Sequence, residues 1–97
     1  MRDLDHIWDY NAEEYGADHA EAYVSFLRRE AYKLDVRYPD AKPVPVADEF
    51  FHATICKSRR RQSHAHIVVF QIVNQTVEVL RFFHTRQDWE NRFMEGR

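Results

Sequence analysis

Apolar residues recur every three or four positions through the first third of the chain. Beyond a proline-marked break they run in near-continuous β-branched and aromatic blocks. Between residues 3 and 15, Leu4, Ile7, Trp8, Asn11 and Tyr15 fall on one side at helical spacing, which predicts an amphipathic helix. Its first turn is acidic, as the helix dipole favours. Gly16 stands where a left-handed helix stop is expected. Asp18 and Glu21 have the spacing of a capping box. Beyond them Ala20, Tyr23, Val24, Leu27, Ala31 and Leu34 line one face of a second helix, with Arg28, Arg29, Glu30 and Lys33 mostly elsewhere. That helix must end before Pro39, because proline pushes Tyr38 toward extended angles. A link this short makes residues 3–37 an antiparallel helical hairpin, with Trp8, Tyr15 and Tyr23 expected in its core.

Residues 38–48 hold all three prolines and read as an extended linker. From 49 to 84 the pattern is that of a sheet. Strands are expected at Phe50–Ser58, His64–Val73 and Thr76–His84, the last two joined by a tight turn at Asn74-Gln75. Short loops make them antiparallel neighbours. The run from His66 to Val73 is almost continuously apolar, which marks a central strand covered on both faces. One cover is the helical hairpin. The tail, residues 85–97, is short and charged, so the other face is expected to stay open as a partner's seat. The alternative is a tail helix around Trp89 and Phe93 that folds back and closes the face. The expected fold is α+β: one domain, 1–97, with a helical hairpin on an antiparallel three- or four-stranded sheet and a short C-terminal helical tail.

Composition narrows the functional classes. The chain has 97 residues, 44% hydrophobic and 14% aromatic with only 2 Gly and 3 Pro, which is globular and sized for one core. A net charge of −2 gives no global attraction to nucleic acid. The charge is segregated, however. Residues 1–21 are acidic, and Lys57-Ser58-Arg59-Arg60-Arg61 is the basic stretch that any bound anion should meet. No apolar run approaches the roughly 20 residues of a membrane span, and no signal sequence is evident. A cytoplasmic protein is expected. Cys56 stands alone, which rules out an internal disulfide and predicts a small buried apolar residue. His64 and His66 share a strand face and His52 on the neighbouring strand could join them, a usable geometry for zinc. There is no Cys pair and no His-Glu-x-x-His, so neither a metal nor a cofactor is expected.

Two stretches carry a family likeness. One is Asp3-Leu4-Asp5-His6-Ile7-Trp8-Asp9-Tyr10 through Tyr15-Gly16 to Ala20-Glu21-Ala22-Tyr23. The other is Ile67-Val68-Val69-Phe70 through Val77-Glu78-Val79-Leu80-Arg81-Phe82-Phe83-His84-Thr85-Arg86-Gln87-Asp88. They resemble, in order, the helical hairpin and the closing β-hairpin of the RelE/ParE superfamily of type II toxin–antitoxin toxins. The resemblance implies a helical hairpin on an antiparallel sheet. It also implies a cognate antitoxin whose disordered tail folds on binding to form a hetero-oligomer. Members open with a β-strand and a Ser-x-x-Ala-type entry. Here Met1-Arg2 leads straight into Asp3-Leu4, so that strand is missing or is encoded upstream of this Met. A missing edge strand exposes backbone donors and acceptors to pairing with another chain.

The superfamily divides into inhibitors of DNA gyrase and ribosome-dependent endonucleases of messenger RNA. RNA cleavage by the 2′-hydroxyl needs a base, an acid and cations for the charge building on phosphate. The nuclease candidates are Arg61, Arg81 and His84. The target-binding candidates are Arg59, Arg60, Arg61, Arg81, His84 and Arg86. Arg81 and His84 are three apart and should point to opposite faces of a regular strand. The alternative role for Arg81 is an ion pair with Asp88 or Glu78 that holds the last strand to the tail. No tyrosine follows the last strand, and the ending Arg81-Phe82-Phe83-His84-Thr85-Arg86-Gln87-Asp88 resembles the gyrase-directed, ParE-like branch. A gyrase inhibitor is therefore expected, with a messenger-RNA endonuclease or a non-toxic binding module as alternatives.

Overall fold

In the computed structural model, residues 2–45, 47–57 and 65–96 are described, and they fall into two compact units, Met1–Lys33 and Leu34–Arg97. The first unit holds α1 (Arg2–Tyr15) and α2 (Ala17–Ala31), which pack against each other as a hairpin. Leu4, Asn11, Ala20, Tyr23, Val24 and Leu27 are buried, which follows the helical pattern of the sequence. Tyr15 departs from it: the ring is 51% exposed and lies 4.7 Å from His19. Asn11 is tolerated among apolar neighbours because its side-chain amide donates to the Ile7 carbonyl at 2.8 Å.

The helix boundary differs from expectation in a specific way. The second helix begins at Ala17, one residue before Asp18, so Asp18 lies inside the first turn and forms no cap. Gly16 is the N-cap, at φ 95 and ψ 160, extended rather than left-handed helical backbone. Only glycine enters that region cheaply. Its N–H still closes α1 by donating to Ala12 O at 3.0 Å, and its carbonyl accepts from Ala20 at 3.1 Å, so one residue ends one helix and starts the next. Glu21 has a different role from capping. Its carboxylate accepts from the Trp8 indole Nε1–H at 3.0 Å, a tie across the hairpin.

The second unit is a four-stranded antiparallel sheet in the order β1-β2-β3-β4, followed by α3. The strands are β1 (Lys42–Val44), β2 (Ala47–Cys56), β3 (Ala65–Val73) and β4 (Thr76–His84), and α3 spans Trp89–Glu95. The linker thus contributes a short strand of its own. Pro43 is accommodated there because β1 is an edge strand, where a missing N–H costs no ladder bond. The approach is set by a turn in which Pro39 precedes Asp40 at φ 65 and Ala41 N–H donates to Tyr38 O at 2.9 Å. Asn74 and Gln75 have φ 51 and 66, the all-positive pattern of the two-residue hairpin turns that match strand twist.

Alternation along the strands sorts side chains to two faces. In β3, Ala65 to Phe70 are buried without interruption, which the continuous apolar pattern predicts. Ile67 and Val69 face one way and join Val44, Ala47, Phe83 and Phe93 in a buried cluster flanked by Phe50, Leu80 and Trp89. The alternative expected of the tail holds for this face, because α3 closes it: Phe93 is 5% exposed and meets the Phe50 ring edge-on at 5.2 Å. A seven-residue helix suffices because two large aromatics and a phenylalanine on β2 fill the space. Apolar exposure remains at the far end of β3, at Ile72 and Val73. Cys56 also departs from expectation, being exposed at the end of β2 rather than buried.

Candidate functional site

The candidate residues concentrate at the end of β4 and the turn after it. Strand register decides where each one points. Arg81 stands opposite Val69 and Phe83 opposite Ile67, so both lie on the α3 side. The Arg81 guanidinium rests 4.6 Å above the centre of the Phe83 ring, a cation–π contact between same-face neighbours. Glu78 and Asp88, the carboxylates considered for Arg81, accept from Gln71 at 2.8 Å and Asn91 at 2.6 Å.

His84 stands opposite His66 and so lies on the other face. The two imidazoles meet edge-on with centroids 5.3 Å apart, and His66 is buried. The turn after the strand is organised around His84. Gln87 N–H donates to the His84 carbonyl at 3.0 Å, and the His84 N–H donates to Gln87 Oε1 at 2.8 Å. The Arg86 N–H donates to His84 Nδ1 at 3.0 Å. An accepting Nδ1 carries no proton, so the neutral ring bears its hydrogen on Nε2. Arg86 itself is exposed, with its backbone held by this turn. The contribution of Gln87 was not anticipated. A long amide three residues after a strand end carries no pattern that announces a reciprocal backbone clamp.

Arg59, Arg60 and Arg61 lie outside the described residues, and so does His64. Of the histidines considered for zinc, the two described, His52 and His66, lie on opposite faces of the sheet. His52 stands opposite Val69 and points to the α3 side, whereas His66 stands opposite Ile55 and points away. Among the described residues no group of three potential metal ligands comes together. His52 packs against Trp89 instead, at 4.6 Å between centroids. Burial holds its pKa below the usual histidine range, and nearby Lys42 adds to this, while Glu90 opposes it.

The arrangement can present cations and hydrogen-bond donors at one end of β4, but it does not bring Arg81 and His84 onto one substrate. Among the described residues no helix is long and apolar enough to cross a membrane. No curated protein matches the chain. Residues 1–89, which include α1, α2, strands β1 to β4 and the clamped turn, match the family described as the ParE toxin of type II toxin–antitoxin system, parDE. The chain therefore belongs to the ParE toxin family of type II toxin–antitoxin systems, and that membership implies a cognate antitoxin as its partner.

Proposed function

We propose that this toxin acts by binding and poisoning DNA gyrase rather than by catalysis, and that its cognate antitoxin neutralises it by covering the surface it uses. The observation that carries this reading is the register of β4, which sends Arg81 and His84 to opposite faces. An endonuclease needs its proton-transfer group and its phosphate-stabilising cation around one scissile bond. Here His84 Nδ1 is engaged by its own turn and Arg81 is turned toward Phe83. The exposed Arg86, set in a backbone-clamped turn, suits recognition of an acidic or phosphate-bearing surface instead.

The test is a pair of assays on the same preparation. Purified chain added to gyrase and supercoiled plasmid is expected to block supercoiling and accumulate cleaved complexes, and added antitoxin is expected to reverse this. Cleavage of messenger RNA in a translating extract, with gyrase unaffected, would replace this reading with the nuclease one. If neither occurs while antitoxin binding persists, the chain is a non-toxic binding module.

A further inference from the structure

The two ends of α2 differ in charge. Asp18 and Glu21 stand in its first half, and Glu21 is engaged by the Trp8 indole. Arg28 and Arg29 stand in its last turn, and both are exposed. Tyr32 follows as the C-cap at φ −68 and ψ −16. Its N–H still donates to Arg28 O at 3.3 Å, so helical spacing runs through it. Arg28 and Arg29, four and three residues before Tyr32, therefore share its face. The Tyr32 side of the helix end is open to water, with the residue 92% exposed. The acid within this turn, Glu30, is paired with Lys33 at 2.7 Å. Among the described residues no hydrogen bond, ion pair or ring contact engages the side chain of Arg28, Arg29 or Tyr32. The helix dipole accounts for cations at a C-terminus. It does not account for an aromatic ring set beside them in water, where burial or a partner is favourable.

We propose that Arg28, Arg29 and Tyr32 bind single-stranded nucleic acid, the guanidiniums on neighbouring phosphates and the ring stacked on a base. Every base offers a flat face to such a ring, and unpaired strands leave that face open. Each guanidinium stays charged at any working pH and presents paired donors to phosphate oxygens. A protein partner is the weaker match. Hot-spot aromatics of protein interfaces sit in well-packed patches that exclude water, whereas the residues sharing the face of Tyr32 on α2 are cations. The chain's other basic run, Lys57-Ser58-Arg59-Arg60-Arg61, has no aromatic residue within it and so offers phosphate contacts without stacking. With a net charge of −2 the chain has no general attraction to a polyanion, so binding is local and salt-dependent. Gyrase and the ribosome both hold nucleic acid, so such a surface suits a toxin of either kind.

Fluorescence anisotropy of a labelled oligothymidylate, titrated with the purified full chain over a range of salt, tests this. The unchanged chain is expected to bind at low salt and to weaken as salt rises. Tyr32→Ala is expected to bind about tenfold more weakly. Tyr32→Phe is expected to bind as the unchanged chain does, since stacking needs the ring and not the hydroxyl. The double variant Arg28→Gln, Arg29→Gln is expected to lower the slope of log affinity against log salt by about 1.4, two phosphate contacts at roughly 0.7 each. All these changes are at exposed side chains, and a circular-dichroism spectrum matching the unchanged chain shows that each variant is folded. A chain that leaves oligothymidylate unbound at low salt overturns the proposal. So does an affinity that Tyr32→Ala does not alter, or a salt slope that the double variant does not alter, which assigns the binding to residues 57–61. If polyglutamate displaces the oligonucleotide as readily as unlabelled oligothymidylate does, the surface serves an acidic protein and the proposal falls.

Discussion

The imidazole of His52 on β2 lies against the indole of Trp89 on α3, with centroids 4.6 Å apart and planes inclined by 41°. This contact joins the last helix to the sheet at a titratable group, so it makes α3 docking sensitive to acid. Burial lowers the folded-state pKa of His52 below the unfolded value of 6.5. The unfolded chain then takes up a proton first as pH falls. Stability from this group is complete above pH 6.5, declines below it, and levels off once pH passes the folded-state pKa. Denaturation midpoints are expected to fall between pH 7.5 and 5, and His52→Phe is expected to lessen that fall. An unchanged slope in the variant would show that other groups set the acid response.

Gly16 has nothing within 4 Å of where a Cβ would sit, so space does not exclude a side chain there. Its backbone does, at φ 95 and ψ 160. Gly16→Ala is expected to cost about 1–3 kcal/mol from conformation alone, measured by urea denaturation. A neutral result would mean that the joint between α1 and α2 adopts another geometry in solution.

Gln75 occupies a positive-φ position in the β3–β4 turn, at φ 66, where glycine is more at ease. Gln75→Gly relieves that strain and is expected to stabilise the hairpin by up to about 1 kcal/mol, offset in part by glycine's greater freedom when unfolded. Thermal melting of the two proteins under one buffer condition checks the sign.

The acceptor role of His84 Nδ1 can be separated from the rest of the ring. Asn places a carbonyl oxygen near the same point, whereas Ala places nothing there. His84→Ala is expected to raise hydrogen exchange at the Arg86 amide about fivefold, the loss of a hydrogen bond of about 1 kcal/mol. His84→Asn is expected to restore much of the protection. Equal exchange in all three proteins would mean that the Gln87 clamp alone holds the turn.

Much of the fold was legible because local chemistry and global position agreed. The Asn74-Gln75 turn and the bounds of β4 follow from the sequence, since turn residues interrupt a β-branched run at that point. The burial of Ala20, Tyr23, Val24 and Leu27 follows from helical spacing. The short strand at Lys42–Val44 was not legible, because proline argues against a strand unless it lies at an edge, and only the assembled sheet defines an edge. Cys56 was misjudged for a related reason, since the last residue of a strand is buried or exposed according to what lies over it.

By itself the sequence determined the two opening helices, the three longer strands and the helical tail in that order, and the family likeness, because periodicity, turn chemistry and motif order are local properties. Tertiary structure alone decided the rest. Whether α3 closes the sheet depends on how Phe93 and Trp89 meet Phe50 and His52, residues roughly 40 positions away in the chain. Which face each candidate addresses depends on strand register, and one extra residue at Leu80 reverses the alternation. Parity counted along the chain separates Arg81 from His84. The bulge, which no local pattern announces, places Arg81 on the face of Glu78.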